Sequence, residues 1–268
     1  MKKSTLKFVL LTTLTLFAGA SFFIPPVKKD PLIQKNNRFL LMLSSFKRPI
    51  FLSGQIYRLL NQNYPYFDIS VSIKGSPNDY GFSSTFSREF EQFEKTGKVF
   101  VRFDHNRGQF ANLLDTIRHI NIDNYDYFCK IDDDDWYSHD YLFEVNRNLN
   151  KIPADKQKIS SSTYHNGYIL TENIDTTKLN INQTPLTGPT LCFSREIMRI
   201  ALRIEKEPAL IDKYLPGESA NLFERREDRF LDHMARKNGM HIERESLYPT
   251  VIYGWQYRSV IRNNGYVR

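Results

Sequence analysis

The chain has 268 residues, 41% of them hydrophobic and 25% charged, which excludes a mainly disordered chain, a collagen or a coiled coil and leaves room for one sizeable domain. The formal net charge is +7, but no Lys/Arg run exceeds two residues. Scattered surface charge is the simplest reading, a nucleic-acid arm is unsupported, and an anionic membrane surface or a phosphorylated substrate remains open. Two cysteines, Cys129 and Cys192, are too few for a disulfide framework or a Cys-based zinc site, and both sit in apolar strand patterns that read as buried packing.

Lys2, Lys3 and Lys7 precede an apolar stretch from Phe8 to Ile24, closed by Pro25-Pro26 and followed by Lys28-Lys29. Two readings fit residues 1–30. One is a signal peptide cleaved near Ala18-Gly19-Ala20; the other is an uncleaved anchor at the short end of spanning length. Either makes the chain membrane-associated or exported. Downstream, Arg38–Ser45 reads as a buried strand, and Pro49 opens a helix with Leu52, Ile56, Leu59 and Leu60 on one face. Phe67–Ile73 alternates as a second strand. A helix carrying Phe86, Phe90 and Phe93 ends at Gly97, and Lys98–Phe103 is a third strand. A helix from Gly108 carries Phe110, Leu113, Leu114 and Ile117. Asp126–Ile131 is a fourth strand, and Ser138 is placed to cap a helix with Leu142, Val145 and Leu149.

Strand–helix repeated four times predicts an α/β, doubly wound, mostly parallel sheet, whose ligands bind at the carboxyl ends of strands. After Pro153 the pattern turns α+β, with strand-like pieces at 158–164 and 190–194 and helices near 195–204 and 226–237.

Asp132-Asp133-Asp134-Asp135 closes the fourth strand. Like charges at ~4 Å and an effective dielectric near 20 repel by about 4 kcal/mol per pair before relaxation, and a cation relieves that. Carboxylate oxygens select Mg²⁺, Mn²⁺ or Ca²⁺ over zinc. An EF-hand fails on spacing, because its glycine position falls on Tyr137 or Ser138. The phosphate-loop, dinucleotide, zinc-protease and nucleophile-elbow patterns are absent, and the six His residues are dispersed.

Several blocks, in order, resemble glycosyltransferase family 2. Leu43–Pro49 (LSSFKRP) is similar to its first strand and turn, Leu59–Pro65 (LLNQNYP) to its first helix end, and Gly75-Ser76 to its next turn. Asn106-Arg107-Gly108 with Ala111-Asn112 resembles a later segment. Tyr127–Trp136 resembles the family's aspartate metal motif, and Asp140-Tyr141-Leu142 the block after it. Gly188–Glu196 resembles an acceptor-side block and Glu227-Asp228 the catalytic pair; the likeness spans about residues 38–240.

The resemblance implies a GT-A fold over residues 36–260 as one catalytic domain, with a donor-binding half at 36–150 and an acceptor half at 151–260. It implies an inverting glycosyltransferase that moves a hexosyl or N-acetylhexosaminyl group from a nucleotide-sugar donor to a glycan or glycolipid hydroxyl. Asp132 and Asp134 are then expected to hold Mn²⁺ or Mg²⁺. Ser44, Arg48, Lys74, Asn106, Arg107, Asp132 and Asp133 are expected to contact the donor. Asp228, beside Glu227, is expected to act as the base. Trp255 and Tyr257 offer ring faces to a sugar, or pack in the core. One departure stands out: the family's usual acidic pair before Gly75 is replaced by Ile73 and Lys74. Two rival readings share the sheet logic. A sugar nucleotidyltransferase would need a Gly- and Arg/Lys-rich loop after the first strand, which is lacking. A non-catalytic sugar-binding relative would fit the lost acids.

Overall fold

The computed structural model describes residues 35–46, 48–74, 84–104, 108–151, 158–161, 164–166, 191–217, 230, 241–243 and 251–253. The elements are β1 (Phe39–Ser45), α1 (Pro49–Leu60), β2 (Phe67–Lys74), α2 (Ser84–Lys95), β3 (Val99–Asp104), α3 (Gln109–Ile117), β4 (Tyr127–Asp132), β5 (Trp136–Tyr137) and α4 (Tyr141–Lys151). They continue as β6 (Lys158–Ser161), β7 (Tyr164–Asn166), β8 (Leu191–Ser194), α5 (Arg195–Lys206), α6 (Ile211–Tyr214), β9 (His241–Glu243) and β10 (Val251–Tyr253). Among the described residues, no helix is long and apolar enough to cross a membrane. The apolar stretch at 8–24 lies outside them.

Seven strands form one sheet in the order β3-β2-β1-β4-β8-β6-β9. The first four are mutually parallel, β8 runs antiparallel to β4 and β6, and β6 pairs parallel with β9. A small second sheet has the order β5-β10-β7. The strand-like stretch 158–164 is therefore two strands belonging to different sheets.

Residues of β1 are apolar in succession because both faces of this strand are covered. Phe39, Leu41 and Leu43 pack with Leu52, Ile56 and Leu59 of α1, Phe90 and Phe93 of α2, and Leu142, Val145 and Leu149 of α4. Leu40 and Met42 face the other way, onto Phe110, Leu113 and Leu114 of α3 and Ile197, Met198 and Ala201 of α5. Helices on both faces make the sheet doubly wound, as expected. An ion pair of Arg118 with Glu205 ties the end of α3 to α5.

Two local expectations are corrected. Cys129 and Cys192 are buried, but they are register partners on β4 and β8 and are joined by a disulfide. The helix α4 is not capped by the Ser138 side chain. Gln62 does that work: its Oε1 accepts from Leu142 N at 3.0 Å while its Nε2 donates to Ser138 O at 2.6 Å. A glutamine after α1 thus completes the start of α4, satisfying a backbone donor that the helix itself leaves unpaired.

At the amino ends of the strands, Asp68 accepts from Arg38 at 2.8 Å and from Tyr125 Oη at 2.7 Å. The carboxylate is nearly buried and Arg38 half exposed. Asp68→Asn is expected to lower stability by about 1–2 kcal/mol, as a charged hydrogen-bond acceptor is exchanged for a neutral one. Urea unfolding of the two proteins measures it; coincident midpoints would contradict it.

Candidate active site

The strand order reverses between β1 and β4: β2 and β3 lie to one side of β1, while β4 and the rest of the sheet lie to the other. A crevice opens at this switch point, at the carboxyl ends of the strands. Ser44 sits there in register with Ser72 of β2 on one side and Asp132 of β4 on the other. Register partners in parallel strands share a face, so these three residues form one row across the sheet.

A cleft of about 230 Å³ opens beside that row. Ser44, Ser45, Phe46 and Arg48 line it from the end of β1 and the approach to α1. Ser72 and Lys74 line it from β2, and Gly108 and Asn112 from the start of α3. The Lys74 ammonium lies 5.3 Å from the centre of the Phe46 ring. Of the residues expected to meet a donor, Ser44, Arg48 and Lys74 are on this cleft. Ser45, Phe46, Ser72 and Asn112 were not singled out as donor contacts, although Ser72 lies two residues before Lys74 on the same strand face.

The acid run is next to Arg48. Asp132, Asp134 and Asp135 each place a carboxylate oxygen so that the three atoms lie within 4.8 Å of one another. Three hard oxygen ligands converging in this way fit Mg²⁺, Mn²⁺ or Ca²⁺ and not a soft-ligand metal. Asp135 joins the expected pair Asp132 and Asp134 as a third candidate ligand, and its place in the acid run is the sequence signal for it. The backbone of Asp132 is held from two sides. Its N–H donates to the buried Tyr137 hydroxyl at 3.2 Å, and its carbonyl accepts from Gln55 Nε2 at 3.2 Å. Tyr137 is locked by an edge-on contact with Tyr141, 5.0 Å between ring centres.

Asp133 points elsewhere than the three converging acids. Its side chain is wholly buried and pairs with Arg48 at 2.6 Å. Burial pushes its carboxyl up to about 7; Arg48 and a hydrogen bond from Ser45 act against that rise, while Asp134 and Asp132 add to it. The same guanidinium reaches Asp134 at 2.5 Å. Lys130, buried on β4 one row upstream, lies 3.7 Å from Asp132. Asn106, Arg107, Glu227, Asp228, Trp255 and Tyr257 lie outside the described residues.

This combination of a mostly parallel sheet, a switch-point cleft and an acid run at the end of β4 is a GT-A-like fold. Among solved structures, S. aureus TarS 1-349 superposes with a TM-score of 0.53 at 12% identity, over 84% of this chain and 64% of that one. The same protein in complex with UDP-GlcNAc gives a TM-score of 0.51 at 10% identity, over 81% of this chain and 58% of that one. The chain thus spans somewhat under two thirds of that structure, and at such identities the likeness concerns the fold. No protein-family model matches the sequence, and no characterised protein sequence matches it.

Proposed function

We propose that the protein is a metal-dependent glycosyltransferase that takes a sugar from a nucleotide-sugar donor to a hydroxyl acceptor on a glycan or glycolipid. One observation carries this reading: three carboxylate oxygens converge at the carboxyl end of β4, beside a polar cleft at the topological switch point. Asp132, Asp134 and Asp135 would hold a divalent ion, which when bound supplies Lewis-acid neutralisation of a departing diphosphate.

The chain's own residues divide the remaining work. Ser44 and Asn112 offer hydroxyl and amide groups to the donor, and Phe46 offers a ring face. Lys74 supplies fixed positive charge at the end of β2, where an acidic residue would have selected a donor N–H. Asp228 with Glu227 is proposed as the base that takes the acceptor hydroxyl's proton; the hydroxyl oxygen then bonds to the anomeric carbon in line as the bond to the diphosphate oxygen breaks, inverting that centre. Asn106 and Arg107 complete the donor contacts on the same proposal, with 36–150 as the donor half and 151–260 as the acceptor half. The hydrophobic segment at 1–30 is proposed as an anchor or export signal. The Cys129–Cys192 disulfide supports placing the domain in an oxidising compartment.

The test is turnover of the full chain with Mn²⁺ against a panel of UDP-, GDP- and CDP-sugars, read as release of nucleoside diphosphate. UDP-GlcNAc enters first because TarS was solved with it. Silence across the panel, with a folded protein and several hydroxyl acceptors, would sink the reading. Lys74→Ala is expected to weaken nucleoside diphosphate binding roughly three- to tenfold by calorimetry, the loss of one partly solvated charge contact. Unchanged affinity would remove Lys74 from the donor site.

A further inference from the structure

We infer that Arg48 is the resident counter-ion of the metal carboxylates, and that a divalent cation binds by moving it off Asp134; this rests on the metal reading above. The guanidinium does not grip one carboxylate with both prongs. One nitrogen takes Asp133 at 2.6 Å and the other takes Asp134 at 2.5 Å. These two aspartates have different fates available. Asp134 belongs to the group of three converging oxygens; Asp133 does not. Both side chains are buried, Asp133 at 0% and Asp134 at 1% exposed, so each needs a positive partner, and only Asp134 shares its place with other converging carboxylates that a cation would join. Arg48 itself is 30% exposed and already lines the cleft.

The consequence is a pivot. Arg48 keeps Asp133, which anchors it, and gives up Asp134, whose charge passes to the incoming cation. The guanidinium edge released from Asp134 then belongs to a residue on the cleft wall, where an anionic ligand would lie. Arginine suits this because its planar fork can hold two acceptors at once and stays charged throughout. Lys130 cannot share the role. It is buried on β4 two residues before Asp132 and meets that acid at 3.7 Å, whereas Arg48 stands on the cleft wall.

The experiment is Mn²⁺ titration of the full chain without any nucleotide, followed by loss of the free-ion electron paramagnetic resonance signal. Wild type is compared with Arg48→Ala, Arg48→Gln and Arg48→Lys, with circular dichroism verifying the fold of each. Two neutral variants guard against one failing to fold. Both are expected to bind Mn²⁺ roughly five- to tenfold more tightly than wild type, because a competing charge has gone. Arg48→Lys, which keeps the charge, is expected to stay within about twofold of wild type. Folded neutral variants that bind Mn²⁺ no more tightly than wild type would overturn the counter-ion role while leaving the metal reading in place. Absence of Mn²⁺ from wild type and variants alike would overturn both.

Discussion

Asp134→Asn is expected to lower turnover of the nucleotide-sugar donor by on the order of 10³-fold, corresponding to about 4 kcal/mol of transition-state stabilisation. The substitution keeps the volume of the side chain and one neutral oxygen, and removes the charge. Two things follow from the structure. The group of converging oxygens loses one of its three anionic members. Arg48 loses one of its two carboxylates, and the remaining pair with Asp133 keeps it in place. The fold should therefore survive, which a melting curve checks. Wild type treated with EDTA should fall to the same residual rate, and excess Mn²⁺ should rescue wild type far better than the variant. A variant within about tenfold of wild type, in the face of this geometry, would show that Asp134 does not hold the ion on which the reaction depends.

Breaking the disulfide should give the largest loss of stability. Cys129 and Cys192 are 63 residues apart in sequence and face each other across β4 and β8. Chain-entropy arithmetic for a loop of that size gives about 4 kcal/mol. For a domain of this length, that corresponds to a melting temperature lower by on the order of 10 °C. Reduction of the wild type with dithiothreitol tests this without opening a cavity; Cys129→Ala with Cys192→Ala adds the lost packing of two buried sulfurs. Superimposable melting curves for oxidised and reduced protein, with thiol titration proving reduction, would contradict it. Function is tied to this bond by position. Cys129 lies three residues before Asp132 on the same strand, so the cross-link holds β8 against the strand that delivers the acid run.

The parts that could be read from the chain are those written in local pattern. An unbroken apolar β1 announces a central strand covered on both faces, and Asp132 to Asp135 after Ile131 announces a charged strand end. The parts that could not be read depend on which strands become neighbours. The link between Cys129 and Cys192 needs β8 to lie antiparallel beside β4, a placement that no short-range signal encodes. Gln62 reads as an ordinary loop residue until the chain 76 to 80 positions later returns to it. Arg48 reads as a basic residue ahead of a helix. Its grip on Asp133 and Asp134 appears only when β1 and β4 are adjacent. The four aspartates read alike in the run; the direction of each side chain, which brings Asp132, Asp134 and Asp135 together and leaves Asp133 out of that group, is not written in it.

The switch in strand order at β1 separates two design problems. The row Ser72–Ser44–Asp132 is built on paired strands, so its spacing is inherited from the sheet and resists change. Parts of the cleft wall come instead from the stretch after β1, where Phe46 stands, and from Lys74 at the last position of β2. On the proposed function, substituting Phe46 or Lys74 with Arg48 kept should retune donor preference while the converging carboxylates are left alone. Preference and chemistry are thereby evolvable, and engineerable, one at a time.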